Sequence, residues 1–358
     1  MRALQVLGPS TGGIRVHVAT LAAGLTALGV DAPVVGPRGV LEGLADQDGI
    51  VPVPSGPSPW GLVRARAGLR PWRANADVVH AHGLKAGWAA VQARRGTPVV
   101  LTLHNVVLDE AAGRAARLQR QLERAVIRRA DRVIAPSPAI AEGVAGIVPS
   151  SRVRVVVPAS PVPAPLAPRD RVRAELGASD DTPLVVCVAR LHPQKDLATL
   201  LRAWARVTAA VPEARLAVVG EGPDRPALEE LARRTGVERS VVFAGFSAHA
   251  VDQLAAADLA VVSSVWEAIP LVLAEALQLG VPVVSTDVGL ARDLLGDGRA
   301  GRVVPVGDDR ALADGLRSLL QDPDAARAAR DAAPVVARSR FDPDELVGAV
   351  LDVYLEVA

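Results

Sequence analysis

The sequence predicts an α/β chain built from two parallel-sheet domains, each covered by helices on both faces. Three observations predict it. Short β-branched runs alternate with longer amphipathic segments along the chain, the pattern of parallel strands joined by helical crossovers. A proline-rich stretch over 158–168 divides the sequence, and proline sustains neither a helix interior nor a central strand. The chain has 358 residues, more than one domain's usual length, and with 50% apolar residues each half can bury a core. The predicted division is a first domain over 1–160, a linker over 161–169, a second domain over 170–342 and a terminal helix over 343–358 that can pack back on the first domain. Two Rossmann-like sheets facing each other leave a cleft at their strand ends, the expected place for a ligand.

In the first half, strands are predicted over 3–7, 32–35, 78–80, 99–103, 133–135 and 153–157. The helix after the first strand carries Ile14, Val18, Leu21, Leu25 and Leu28 on one face. In the second half, strands are predicted over 184–189, 215–219, 241–244, 259–263 and 282–285, with helices between them. No repeat with a period of 20–50 residues is visible.

Composition bounds the function. Aromatic residues make up 3% of the chain, so Ala, Val and Leu carry the packing. Only two of the 40 basic residues are lysines, Lys85 and Lys195. A lysine kept where arginine is otherwise preferred points to a need for a compact point charge. The single cysteine, Cys187, sits in an apolar strand and permits neither an internal disulfide nor a cysteine zinc site. The start of the chain reads as a strand, not a signal peptide, and no apolar run approaches the ~20 residues that cross a bilayer. A cytoplasmic protein is the expectation. Residues 1–160 hold 19 Arg/Lys against 10 Asp/Glu, and the remainder 21 against 29. A basic half and an acidic half imply different partners.

The most informative segment is Ser264-Val265-Trp266-Glu267-Ala268-Ile269-Pro270-Leu271-Val272-Leu273-Ala274-Glu275. It leaves a predicted strand, passes Glu267 in a loop and enters a helix that carries Glu275. Ligands of open α/β sheets bind at the carboxyl ends of strands, and free N–H groups at a helix start favour an anion such as a diphosphate. A carboxylate one turn inside accepts hydrogen bonds from vicinal hydroxyls. The plain alternative is a surface helix with two solvated glutamates. Arg190 ends a predicted strand and Lys195 precedes a helix, so both cations can face the same anion, or stand as a solvated pair. Gly220-Glu221-Gly222-Pro223 ends another strand, either for close backbone approach to a ligand or as a bare turn. Gly12 and Gly13 open the first helix with the same two readings.

His104 ends a first-domain strand, where a ligand contact and a structural role weigh equally. His80 and His82 have metal-pair spacing, but no carboxylates complete a set, so packing is the favoured reading. His17, His192 and His249 receive no role. Asp-x-Asp triplets at Asp46/Asp48, Asp322/Asp324 and Asp342/Asp344 follow no predicted strand end and read as solvated loop or helix-start residues. Arginines at 114, 117, 120, 124, 128, 129 and 132 line a predicted helix. That stripe is either a solvated face or a peripheral contact for anionic membrane or an anionic acceptor. Nucleic acid is disfavoured, because no aromatic stacking platform accompanies the charge.

Taken together and in order, these motifs resemble glycosyltransferase family 4, the retaining sugar-nucleotide transferases of GT-B architecture. The resemblance rests on the Gly12-Gly13 loop, the strand 77–82, Leu101-Thr102-Leu103-His104, the strand 130–137, Arg190 with Lys195, Val219-Gly220-Glu221-Gly222-Pro223, Glu267 with Glu275, and Gly280-Val281-Pro282. It covers most of the chain. It implies a UDP- or GDP-sugar donor, a small-molecule or lipid-linked hydroxyl acceptor, and no metal or other cofactor. It further implies that Arg190 and Lys195 hold the donor diphosphate and that Glu275 holds the ribose. Glu267 and the backbone of Ala268, Ile269, Pro270, Leu271 and Val272 would hold the transferred sugar, which His104 would meet from the first domain. Gly12, Gly13, Gly220 and Gly222 would line the donor. Ala268 stands where the family has glycine, and Gly289-Leu290 where it has two glycines. A sugar-nucleotide epimerase of the same architecture, or a non-catalytic binding homologue, therefore stays open beside the transferase.

Overall fold

The structure is a computed structural model, and it describes residues 1–9, 13–41, 47–54, 58–93, 96–104, 114–158, 162, 164–267 and 269–358. The chain divides into two compact units, Met1–Ser160 with Phe341–Ala358, and Pro161–Arg340.

The first unit runs β1 (Ala3–Leu7), α1 (Gly13–Ala27), β2 (Val34–Gly36), α2 (Arg38–Leu41), β3 (Gln47–Ile50), α3 (Pro59–Arg73), β4 (Val78–His82), α4 (Leu84–Gln92), β5 (Val99–Thr102), α5 (Arg114–Arg129), β6 (Arg132–Ala135), α6 (Pro138–Gly143) and β7 (Val153–Val155). Its strands form a parallel sheet in the order β3-β2-β1-β4-β5-β6-β7, so the winding reverses between β1 and β4. β1, β4 and β5 are buried on both faces, which explains their apolar composition, and the polar residues they carry, Gln5, His80, His82 and Thr102, are buried as well.

The second unit runs α7 (Arg169–Glu175), β8 (Leu184–Val188), α8 (Leu197–Thr208), β9 (Arg215–Val219), α9 (Arg225–Arg234), β10 (Val241–Gly245), α10 (Ala250–Ala256), β11 (Leu259–Val262), α11 (Leu271–Gln278), β12 (Val283–Thr286), α12 (Ala291–Leu294), β13 (Gly301–Val304), α13 (Asp309–Leu320) and α14 (Pro323–Arg338). Its sheet order is β10-β9-β8-β11-β12-β13, all parallel, and here the reversal falls between β8 and β11. The fold class is therefore α/β with two doubly wound parallel sheets, as the alternation of segments predicts. The strands β3 and β13 and the short helix α2 are additions to that reading. Asp48, expected in a loop, lies within β3.

The last helix, α15 (Pro343–Leu355), belongs to the first unit. Leu346, Val347, Val350, Val353 and Tyr354 are buried there among Val18, Leu21 and Leu25 of α1. A Cβ on Gly24 would come 2.4 Å from Val347 Cγ2, so α1 and α15 approach closely because that residue is glycine. The Arg132 and Arg154 guanidiniums hold Glu356 at 2.9 and 2.6 Å, tying the end of α15 to β6 and β7. Asp322 and Asp342 cap α14 and α15 through their side chains, which accounts for both Asp-Pro-Asp triplets as helix starts. Cys187 is buried in β8, where burial pushes its thiol pKa up to about 12. Among the described residues no helix is long and apolar enough to cross a membrane.

Candidate functional site

In the second unit the predicted residues gather at the carboxyl ends of β8, β9 and β11, around the reversal point of the sheet. The loop after β8 passes Arg190 and forms a single tight turn, Pro193–Lys195, before Asp196. Asp196 takes a left-handed conformation, φ 44°, and its side chain accepts from Thr199 N at 3.2 Å, capping α8. Lys195 is thereby fixed at the mouth of the helix.

The loop after β11 is stitched to that turn. Val265 N donates to Gln194 O at 2.9 Å, Gln194 Nε2 to Trp266 O at 2.9 Å, and Ser263 Oγ to Lys195 O at 2.8 Å. The Lys195 ammonium forms an ion pair with Glu267 Oε1, which also accepts from Ser264 Oγ at 2.8 Å. The two side chains are 19% and 11% exposed, so the pair is shielded without being sealed. Ser264 is held in turn, its carbonyl accepting from Thr286 Oγ1 at 2.7 Å. Two loops far apart in sequence thus form one rigid edge across neighbouring strands.

Gly220 and Gly222 build the same edge from β9. A Cβ on Gly220 would lie 1.9 Å from Ala189 O, and one on Gly222 would lie 2.2 Å from Leu191 O. Their first service is therefore to admit the chain's own 189–191 turn. Leu191 N donates to Glu221 O at 3.0 Å and Asp224 N to Leu191 O at 3.2 Å, which seats the turn carrying Arg190. The sequence shows the glycines but not the partner that needs them. Arg190 is exposed on this edge and makes no ion pair among the described residues.

Ile269 and Pro270 are buried, and Pro270 begins α11 without any side-chain cap, so the N–H groups of its first turn face the edge. Glu275 lies within α11. Burial raises its carboxyl pKa above the usual value, and no hydrogen bond or ion pair holds the carboxylate among the described residues. It forms no hydrogen bond or ion pair with Lys195 or Glu267. Ala268 lies outside the described residues. The edge offers two cations, a helix start and two carboxylates, a set able to hold an anion together with a polyol.

In the first unit Gly13 opens α1, while Gly12 lies outside the described residues. His104 follows β5 and meets His17 and His82, with ring centroids 5.5 and 5.8 Å away. His80 lies beneath them on β4, its Nδ1 2.6 Å from Tyr354 Oη and its Nε2 2.6 Å from Thr102 Oγ1. Burial lowers the His80 pKa to about 3 and pushes the His82 and His104 imidazoles well below their ordinary range. Packing accounts for His80. His17, given no role from sequence, belongs to the cluster; its position on a helix hides that proximity from any reading of spacing.

Known proteins share this architecture. The family model "Glycosyl transferases group 1" matches residues 168–335, and "Glycosyl transferase 4-like domain" matches residues 12–159. A D-inositol 3-phosphate glycosyltransferase of Xylanimonas cellulosilytica is 33% identical over 304 residues, 78% of this chain and 72% of that protein. An alpha-maltose-1-phosphate synthase of Mycolicibacterium smegmatis is 31% identical over 79% of this chain and 80% of its own length. Among solved structures, Anabaena HepE in complex with UDP-glucose superposes with a TM-score of 0.84 at 22% identity, covering 99% of this chain and 100% of that one.

Proposed function

Because this chain belongs to the glycosyl transferases group 1, and is a glycosyltransferase of the GT-B fold, we propose that it moves a hexosyl group from a UDP- or GDP-sugar to a hydroxyl acceptor with retention of configuration. The observation that carries this reading is the Lys195–Glu267 pair locked across the reversal point of the second sheet. Lys195 and Arg190 face the departing diphosphate together with the start of α11, an oriented electrostatic site that supplies the charge without a metal ion. Glu267 accepts from hydroxyls of the transferred sugar and Glu275 from those of the ribose. His104, Gly12 and Gly13 serve the sugar and phosphates from the first unit. The C1–O bond to the diphosphate breaks as a C1–O bond to the acceptor forms on the same face. The acceptor's proton passes to an oxygen of the leaving diphosphate, so the protein itself supplies no nucleophile.

The family relatives named for D-inositol 3-phosphate and maltose-1-phosphate synthesis favour a small polar hydroxyl acceptor over a lipid-linked one. A peripheral contact with anionic membrane through the exposed Arg124 and Arg128 of α5 is the companion proposal; sedimentation with anionic liposomes tests it, and no co-sedimentation removes it. The function is tested by a panel of nucleotide sugars in a thermal-shift assay. A UDP- or GDP-sugar raises the melting temperature by mass action. Turnover of that donor with a polyol panel in EDTA then gives a product with the donor's anomeric configuration by NMR. An inverted product, or turnover that stops in EDTA, contradicts the mechanism.

A further inference from the structure

Three histidines from separate stretches of the first unit meet at one point. His17 lies on α1, His82 ends β4 and His104 follows β5. One nitrogen of each lies within 4.8 Å of a nitrogen of the other two. The ring centroids form a near-equilateral triangle with sides of 5.8, 5.5 and 5.8 Å. An ion bound at about 2.0–2.1 Å by three imidazole nitrogens holds the ring centroids roughly 5.2–5.5 Å apart. The triangle is therefore already close to that of a three-histidine site. From nitrogens at the outer limit of 4.8 Å, each ring need move inward by only about 0.7 Å to reach bonding distance.

The hydrogen bonds around His82 leave it a lone pair for such an ion. Gln5 donates its amide N–H to Ala3 O at 2.9 Å and to Tyr354 Oη at 3.1 Å. Its Oε1 is thus the acceptor facing His82 Nε2 at 3.0 Å. His82 carries its proton on Nε2, and its Nδ1 presents a lone pair. That Nδ1 and His104 Nε2 are both buried and have no hydrogen-bond partner among the described residues. His82 itself is 3% exposed. A histidine that gives one N–H to a carbonyl-type oxygen and keeps its other nitrogen unpartnered is held as metal-ligating histidines are held. A small cavity lies beside two of the three histidines, lined by His17 and His104 together with Thr102, Ile134 and Pro136.

The geometry points to a metal site: His17, His82 and His104 bind one borderline divalent cation of the zinc class through three imidazole nitrogens. An all-nitrogen set disfavours magnesium and calcium, which take oxygen ligands. Where His104 also meets the donor sugar, ion and sugar compete for it; that consequence rests on the proposed function, whereas the site does not.

The test uses the full chain freed of metal by chelator and titrated with zinc chloride against a chromophoric chelator. One equivalent binds with micromolar or tighter affinity, and cobalt substituted for zinc gives the visible bands of a tetrahedral site. His17→Gln and His82→Gln weaken binding at least 100-fold, while His192→Gln, on an exposed turn, leaves it unchanged. Should the glutamine variants fold poorly, the unaltered protein still decides the matter. Zinc at one hundred times its Kd raises the melting temperature by roughly 5 °C, reversed by EDTA. Absence of stoichiometric uptake, or uptake undiminished in His17→Gln, overturns the site. No arm measures transfer, so its failure leaves the proposed function standing.

Discussion

Glu275 is a carboxyl group whose burial costs stability and whose proposed role is binding. Its carboxyl pKa is raised by burial, so the folded protein holds this proton more tightly than the unfolded chain does. Between the ordinary carboxyl value and the raised one, the folded state binds more protons, and stability falls as pH rises through that window. Above it the buried charge is a standing cost. Glu275→Gln therefore raises the melting temperature at pH 7.5 and leaves it unchanged near pH 4, while donor binding weakens about tenfold or more through the lost charged acceptor. A melting temperature that drops at pH 7.5 contradicts the burial argument. Gly222 makes the complementary case. An added methyl meets Leu191 O at 2.2 Å, and that atom is backbone. Gly222→Ala should cost about 1–3 kcal/mol or more in a urea melt by overpacking. It should also lower kcat/KM, since the turn it displaces carries Arg190. The glycine pair is visible in sequence; the reason for it is not, because Leu191 comes from another loop.

At the scale of elements, sequence identified strands buried on both faces, such as β8 and β11, and also the partly exposed β7 and β10, whose β-branched residues mark them. The strand β3, Gln-Asp-Gly-Ile, has no such pattern and exists through its parallel pairing with β2. β13 escaped notice for a similar reason. A Cβ on its Gly301 would lie 1.8 Å from Val283 O, so the glycine that weakens its strand signal is what lets it pair with β12. The acids and cations of the candidate site were legible because they follow recognisable strand ends. The histidine cluster was not, since it joins α1, β4 and β5 through tertiary packing. One structural anchor also went unread. Arg173 of α7, 1% exposed, donates to Ala256 O at 2.8 Å and Ser179 O at 2.8 Å and pairs with Asp258 at 3.2 Å. Asp258 also accepts from Leu184 N at 2.9 Å at the start of β8. Arg173→Met strips Ser179 O of its guanidinium donor, while Asp258 and Ala256 O keep Arg169, and should cost about 1–3 kcal/mol by denaturant titration. A loss under 1 kcal/mol would show that the anchor is dispensable.

For the molecule as a whole, the chain's last helix completes its first unit. Leu346, Val347, Val350, Val353 and Tyr354 are all 3% exposed or less, and Tyr354 Oη supports both Gln5 and His80. Apolar side chains of this size contribute about 1.5–3 kcal/mol each when buried. Their sum is comparable to the 5–15 kcal/mol, roughly, that stabilises a whole domain. A chain ending at Arg340 should therefore lose the cooperative unfolding of residues 1–160 and become open there to limited proteolysis, while residues 161–340 stay protected. Equal protection of both units would contradict the assignment of α15 to the first core. The same unit holds the arginine excess, and the second holds the candidate edge with Arg190 and Lys195 despite its acidic balance.

In the proposed reaction, the charge fixed between the β8 and β11 loops binds the departing diphosphate. Calorimetric titration of the active nucleoside diphosphate into the parent protein and Lys195→Ala tests it most directly, with circular dichroism on both. The account predicts an unchanged spectrum, affinity weakened at least tenfold, and kcat/KM lowered by about 10²–10³. Equal affinity with near-normal turnover in a folded Lys195→Ala protein would contradict it.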